Sequence, residues 1–309
     1  MKKVTVVVPT FNEEDNIERI YERLNNVFIS LPYQLEVLYI DNCSTDKSRE
    51  IIEGLCSKDK MVKAVFNARN FGFIRSTFYG LTQATGDCAI LIFADMQEPP
   101  EIIPEFLKKW EEDHKIVIGI KNKSKENPFT YFVRSFYYGL IERISDIDHI
   151  KQFVGFGLYD KTFIEVLRSL DDSVPYLRGI VAELGFKMTE VHYDQDVRRH
   201  GKTKFSFLKM YDVAMLGITS YSKVLMRLAT FIGFFLSIVS AGVAVVTMAV
   251  KLFNWNYFSI GTAAIVVGVF FLGSVQLFFI GLLGEYILNI NTRVMKRPLV
   301  IEEKRINFD

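Results

Sequence analysis

The chain has 309 residues, with 37 Lys and Arg against 36 Asp and Glu and a net charge of +1. That length fits one or two domains, and 24% charged residues with only 8 Pro and 19 Gly exclude a disordered or collagen-like chain. A near-neutral balance also argues against a nucleic-acid binder, which needs a basic face.

The N-terminus, MKKVTVVVPTFNEED, has too short an apolar run before Pro9 for a signal peptide. The part it opens is therefore expected in the cytoplasm. Five β-branched, nearly continuous apolar runs follow: Val4–Val8, Leu35–Ile40, Val62–Phe66, Cys88–Phe93 and Ile116–Ile120. Such runs predict strands buried on both faces. Helical stretches separate them, over Glu13–Ser30, Thr45–Ser57, Ile74–Ala84 and Glu101–Glu112. The βαβα order predicts a doubly wound, mostly parallel α/β sheet with ligands at the carboxyl ends of the strands.

The loops at those ends hold acids and amides instead of glycines. They read PTFNEE (9–14), DNCSTD (41–46) and ADMQEPPE (94–101). Neither GxGxxG nor GxxxxGK[ST] occurs, which disfavours a dinucleotide site or a P-loop. Glu13 and Asp41 are suited to accept hydrogen bonds from a nucleobase or ribose. Asp95 with Gln97 is suited to hold a hard divalent cation, Mg²⁺ or Mn²⁺, on a diphosphate. Ser44 or Thr45 is expected to cap the following helix. Three cysteines, Cys43, Cys56 and Cys88, with no CxxC spacing, read as free thiols.

Beyond Arg227 the composition changes. Leu228 to Val250 is 23 residues without a charge, about 34 Å as a helix. After Lys251, the stretch Leu252 to Gly284 is uncharged for 33 residues. Its LFNWNY start reads as an interfacial turn, and a second span is expected from about Ser259 to Leu283. Seven Lys and Arg lie between Arg198 and Arg227, and Arg293, Lys296, Arg297, Lys304 and Arg305 follow the spans. The positive-inside rule then puts both termini in the cytoplasm, around a two-helix transmembrane hairpin in the plasma (inner) membrane. Residues 205–227 predict an amphipathic helix at the membrane surface. Small residues in the first span (Gly233, Ser237, Ser240, Ala241, Gly242) would let copies associate as a homo-oligomer.

The loops VVVPTFNEEDNI, YIDNCSTDKS, NARNFGF and FADMQEPPE, with RRHGKTKFSF before the hairpin, resemble family 2 glycosyltransferases of the A-type fold. Within that family the chain is similar to polyprenyl-phosphate glycosyltransferases, the group of dolichol-phosphate mannose synthases and bacterial undecaprenyl-phosphate sugar transferases. The resemblance implies inverting transfer of a sugar from a UDP- or GDP-hexose to a polyprenyl phosphate such as undecaprenyl phosphate. It divides the chain into a catalytic domain (1–204), an interfacial region (205–227), a membrane part (228–284) and a cytosolic tail (285–309). It implies nucleotide-sugar binding by Pro9, Phe11, Glu13, Asp41, Asn42, Ala94 and Lys121, and a metal on Asp95 and Gln97. It gives Arg134, Arg198, Lys202 and Lys204 to the lipid phosphate. It makes Asp95, Arg134, Lys202 and Lys204 the catalytic set.

Two positions depart from the family pattern. Phe93 stands where a metal-facing Asp is usual, and the Val154-Gly155-Phe156-Gly157 stretch lacks an Asp that serves relatives as a candidate base. A phosphate monoester is largely dianionic at pH 7, so it needs placement and charge compensation more than a base. Two other classes are weighed. A processive polysaccharide synthase would show QxxRW and more spans, and neither is present. A non-catalytic membrane-bound nucleotide-sugar binder would fit the two departures.

Overall fold

The computed structural model describes residues 1–122, 150, 153–170, 172, 175–195, 215, 231–236, 238–239, 242, 246, 249, 253 and 262–308. The apolar runs form the expected strands: β1 (Lys2–Thr10), β2 (Tyr33–Asp41), β3 (Val62–Asn67), β4 (Cys88–Leu91) and β5 (Ile116–Lys121). Three more strands join them: β6 (Phe153–Asp160), β7 (Met188–Tyr193) and β8 (Glu302–Ile306). All eight lie in one sheet, in the order β7-β5-β6-β4-β1-β2-β3-β8. The pairs β1/β2, β1/β4, β2/β3 and β5/β7 are parallel. β6, between β4 and β5, is antiparallel to both, and β8 runs antiparallel along the edge of β3.

Helices cover both faces. Along β1, Val4, Val6 and Val8 pack on one side and Val7 on the other, as the period of two requires. On the first face lie α1 (Ile17–Phe28), α2 (Ser48–Lys58) and α4 (Ile103–Glu111, preceded by a 3₁₀ turn at Pro100–Ile102). On the second lie α3 (Phe73–Gln83), α5 (Lys161–Ser169) and α6 (Leu177–Glu183). α1 buries Ile17, Ile20, Leu24 and Phe28, a 3-4-4 spacing that makes one apolar stripe. Each such side chain contributes about 1.5–3 kcal/mol when fully buried. α5 begins at a true cap, with Asp160 accepting from Thr162 N at 2.9 Å.

Helix starts differ from the sequence-based expectation for a local reason. α1 begins at Ile17 and α2 at Ser48, each a few residues late. The skipped residues are held in bonds between the two loops, described below. The expected cap is corrected too. Ser44 accepts from Asn12 N at 2.8 Å instead of capping, and Thr45 N donates to Asn12 Oδ1 at 2.7 Å. Asp46, accepting from Ser48 N at 3.0 Å, supports the helix start.

One long apolar helix, α7 (Thr262–Val294), follows the sheet domain. Its stretch Val275–Val294 is long and apolar enough to cross a membrane, and none of it is buried within the protein. The helix continues past Leu283, where the second span was expected to end. Among the described residues it is the one candidate span, so the two-helix hairpin is not reproduced there. About half of the first expected span, and almost the whole interfacial segment, lie outside the described residues.

Candidate active site

The carboxyl ends of β1, β2, β4, β5 and β7 gather the polar residues. The first two loops are zipped together. Glu13 N donates to Ser48 Oγ at 3.0 Å, Lys47 N to Glu14 Oε2 at 2.9 Å, and Asn12 Nδ2 to Thr45 Oγ1 at 3.2 Å. Asn12 sits at φ 55°, a left-handed conformation that Asn tolerates. Pro9 and Phe11 are half-buried at the end of β1, and Glu13 accepts from Asn16 Nδ2 at 2.7 Å. Asp41 is fully buried and accepts from Ser44 N at 3.1 Å. Burial pushes its carboxyl above the ordinary range, against that hydrogen bond.

Asn42 proves to be a loop organiser. Its Oδ1 accepts from Asn67 Nδ2 at 3.1 Å and from Phe71 N at 3.0 Å. Its Nδ2 donates to Asn70 Oδ1 at 2.9 Å, and Asn70 Oδ1 also accepts from Gly72 N at 2.8 Å. Gly72 has φ +89°, so the turn into α3 needs a residue without a Cβ. The second acid-motif position thus sets the path of a third loop.

The β4 loop carries the metal candidates. Ala94 is buried, Asp95 and Gln97 are half-buried, and Met96 between them has φ +61°. Gln97 N donates to Asp95 Oδ1 at 3.3 Å, and Gln97 Oε1 accepts from Gln195 Nε2. Glu98, 2% exposed, lies beneath them and accepts from Tyr193 OH at 3.5 Å. Its other oxygen, Oε2, is buried without a hydrogen-bond partner among the described residues. Burial, with the Asp95 charge beside it, pushes the Glu98 carboxyl up to about 8, while Lys121 at the end of β5 pulls the other way. Tyr193, Gln195 and the buried role of Glu98 were not singled out from sequence. The β7 segment MTEVHY gives no signal beyond alternation.

These donors fit a hard cation. Asp95 and Gln97 offer a carboxylate and an amide oxygen, and an amide oxygen keeps a second lone pair after one hydrogen bond. Among the described residues no three His, Cys, Asp or Glu side chains gather into a metal cluster. The protein therefore offers a partial set, and diphosphate and water would have to supply the rest.

The two departures from the family pattern meet in space. Phe93 packs against Phe73 with ring centroids 5.2 Å apart. A Cβ at Gly155 (φ +108°) would stand 3.8 Å from Phe93 Cζ, 3.4 Å from Leu91 Cδ2 and 3.9 Å from Leu177 Cδ2. This corner is lined by the Phe73, Leu91 and Leu177 side chains. Arg134, Arg198, Lys202 and Lys204, expected at the lipid phosphate, lie outside the described residues.

A mostly parallel α/β sheet thus presents acid and amide loops at its carboxyl edge. Residues 5–184 match glycosyl transferase family 2, and the chain belongs to that family. It is 33% identical over 306 residues to the uncharacterized glycosyltransferase YkcC of Bacillus subtilis (strain 168), covering 99% of this chain and 94% of the relative. It is 33% identical over 304 residues to the SfII prophage-derived bactoprenol glucosyl transferase of Shigella flexneri, covering 98% of each. In fold it is similar to mannosyl-3-phosphoglycerate synthase from Rubrobacter xylanophilus, with a TM-score of 0.50, 15% identity and 74% of each chain covered. The family resemblance read from the loops is borne out.

Proposed function

We propose that the protein transfers a hexose, with inversion, from a UDP- or GDP-sugar to a polyprenyl phosphate such as undecaprenyl phosphate at the cytoplasmic face of the membrane. The observation that carries this reading is the 33% identity to a bactoprenol glucosyl transferase over 98% of both chains, apolar helix included. A short match to the sheet domain alone would support only sugar-nucleotide chemistry.

In this reading the zipped loops of β1 and β2 hold the nucleoside, with Pro9, Phe11 and Glu13 lining it and Asp41 and Asn42 fixing the loop paths. Asp95 and Gln97 are the residues to hold Mg²⁺ or Mn²⁺, which would neutralise charge on the departing nucleoside diphosphate. Lys121, Arg134, Arg198, Lys202 and Lys204 are assigned to phosphate charge. The acceptor phosphate attacks the anomeric carbon from the side opposite the leaving group, and the C–O bond to the diphosphate breaks as the new one forms. No proton need be removed from a dianionic phosphate, which fits a corner at Phe93 and Gly155 that holds no carboxylate. The chain is taken to sit in the membrane as a two-span hairpin, with both termini in the cytoplasm.

The test is incubation of the membrane-embedded protein with undecaprenyl phosphate, Mg²⁺ or Mn²⁺, and radiolabelled UDP- and GDP-hexoses. Label should pass into the organic phase from one donor, and Asp95→Asn should reduce that transfer by about 100-fold or more. Donor binding without transfer from any of them would replace the reading with a non-catalytic nucleotide-sugar binder, the class to which the Phe93 packing lends weight.

A further inference from the structure

Three arginines lie around the start of α3, near enough for the charges of Arg69 and Arg297 to act on Arg75. Arg69 and Arg75 flank the turn into that helix, and Arg297 comes from the segment that follows α7. The backbone ties the two segments together, since Ala68 N donates to Ile301 O at 2.9 Å. Arg69 is held in place: its Nη1 donates to Asn70 O at 3.2 Å and its guanidinium lies 4.1 Å from the Phe71 ring centroid. Arg75 is half-buried, and its guanidinium is pushed below its ordinary range by burial and by the charges of Arg69 and Arg297. Neither Arg75 nor Arg297 pairs with a carboxylate among the described residues. α3 follows Gly72 with no side-chain cap and no acid in its first turn, so its amide dipoles add to the same positive field.

Such a gathering of like charge costs free energy unless an anion joins it. Its surroundings indicate which anion. Arg297 lies three residues beyond Val294, the last residue of the apolar helix. Val294, Met295 and Phe73 are all exposed large apolar side chains, Phe73 at 48%. Arg293 Nη2 stands 3.4 Å from Asp172 Oδ2, linking the foot of the helix to the sheet domain. Basic groups mixed with exposed apolar ones, beside the end of a candidate span, match the chemistry of a bilayer's headgroup layer.

We propose that Arg69, Arg75 and Arg297 form a seat for the phosphate of an anionic phospholipid headgroup, which holds the rim of the candidate active site against the bilayer. The Phe73–Phe93 contact sets this seat at the edge of the β4 loop. The proposal depends on the functional reading only for the presence of a membrane, and its test reads lipid binding, so a failed sugar transfer would leave it standing.

The full chain, purified in detergent, is titrated with phosphatidylglycerol and with phosphatidylcholine, and retained lipid is counted by native mass spectrometry. Wild type should retain phosphatidylglycerol in preference. Arg75→Gln with Arg297→Gln should weaken that retention about tenfold or more, by the usual worth of a basic residue at an anionic surface. Arg297→Gln alone, at an exposed position, should fold normally and weaken it by a smaller factor. Arg19→Gln, on the exposed face of α1, should leave it unchanged. Equal retention by wild type and the double variant would overturn the proposal. So would equal loss in Arg19→Gln, which would mean a diffuse charge effect. Displacement of the lipid by millimolar glycerol phosphate would also overturn it, because the seat would then read a soluble phosphate.

Discussion

Asn42 shows how one amide does the work of several contacts. It bonds Asn67, Asn70 and the Phe71 amide at once, and all three belong to the path from β3 into α3. Replacing it with Ala leaves the half-buried Phe71 N without its acceptor and the buried Asn67 amide with only Ser76 Oγ at 3.4 Å, at about 1–3 kcal/mol for an unsatisfied group. Asn42→Ala should therefore lower the denaturant midpoint by an amount in that range and weaken nucleotide-sugar binding, as calorimetry would show. Glu36 is a second buried polar group with a clear sign. Burial alone would raise its pKa, but hydrogen bonds from Thr5, Lys63 and Thr85 and the Lys63 charge outweigh burial and hold it below the ordinary value. A carboxylate whose folded pKa is depressed contributes stability above its unfolded pKa and loses it as pH falls through the folded one. Unfolding curves should therefore show stability dropping below about pH 4.5, and Glu36→Gln should flatten that drop while lowering stability at pH 7. An unchanged acid limb in the variant would assign the drop to other carboxylates.

At the level of elements, the sequence carried the five apolar strands and their helices because long continuous apolar runs with 3.6-residue periods between them admit few other readings. It did not carry β6, β7 or β8. β7 and β8 are more polar, β6 is interrupted by two glycines, and the pairing of all three is decided by partners far along the chain. β6 illustrates this. Its Gly157 permits a close strand approach: a Cβ there would lie 2.5 Å from Val117 O and 3.2 Å from Ile118 Cα. Gly157→Ala should destabilise the protein by about 1–3 kcal/mol or more, read as a lowered melting temperature, because both close atoms are backbone and cannot yield. The candidate site divides in the same way. Asp95, Gln97, Glu13 and Asp41 were legible as oxygen-bearing residues at strand ends. The loop-organising use of Asn42, and the meeting of Phe93 with Gly155, depend on contacts between β2 and β3 or between β4 and β6, which no local pattern encodes.

The whole molecule is arranged so that the chain leaves the sheet, runs along α7 and returns to the same sheet as β8. The return is firmly made. β8 pairs with β3 from Ala64 to Asn67, Asn307 Nδ2 donates to Cys56 O and Val62 O, both at 2.8 Å, and Lys304 Nζ meets Glu53 Oε1 at 2.9 Å. Deleting residues 299–309 should expose the edge of β3 and produce a chain that melts earlier and self-associates, as light scattering would detect. Between Val294 and Glu302 lie only residues 295–301. Fully stretched, such a tether reaches roughly 25 Å. If α7 spans a bilayer, as proposed, so short a leash holds the sheet domain close to its surface. At that fixed height a lipid acceptor would arrive by sideways diffusion in two dimensions, while a soluble donor would still come from the water. Splicing a flexible Gly-Ser segment in beside Pro298 would let the domain drift upward, and turnover should then fall with each added residue even though no reacting group had been touched.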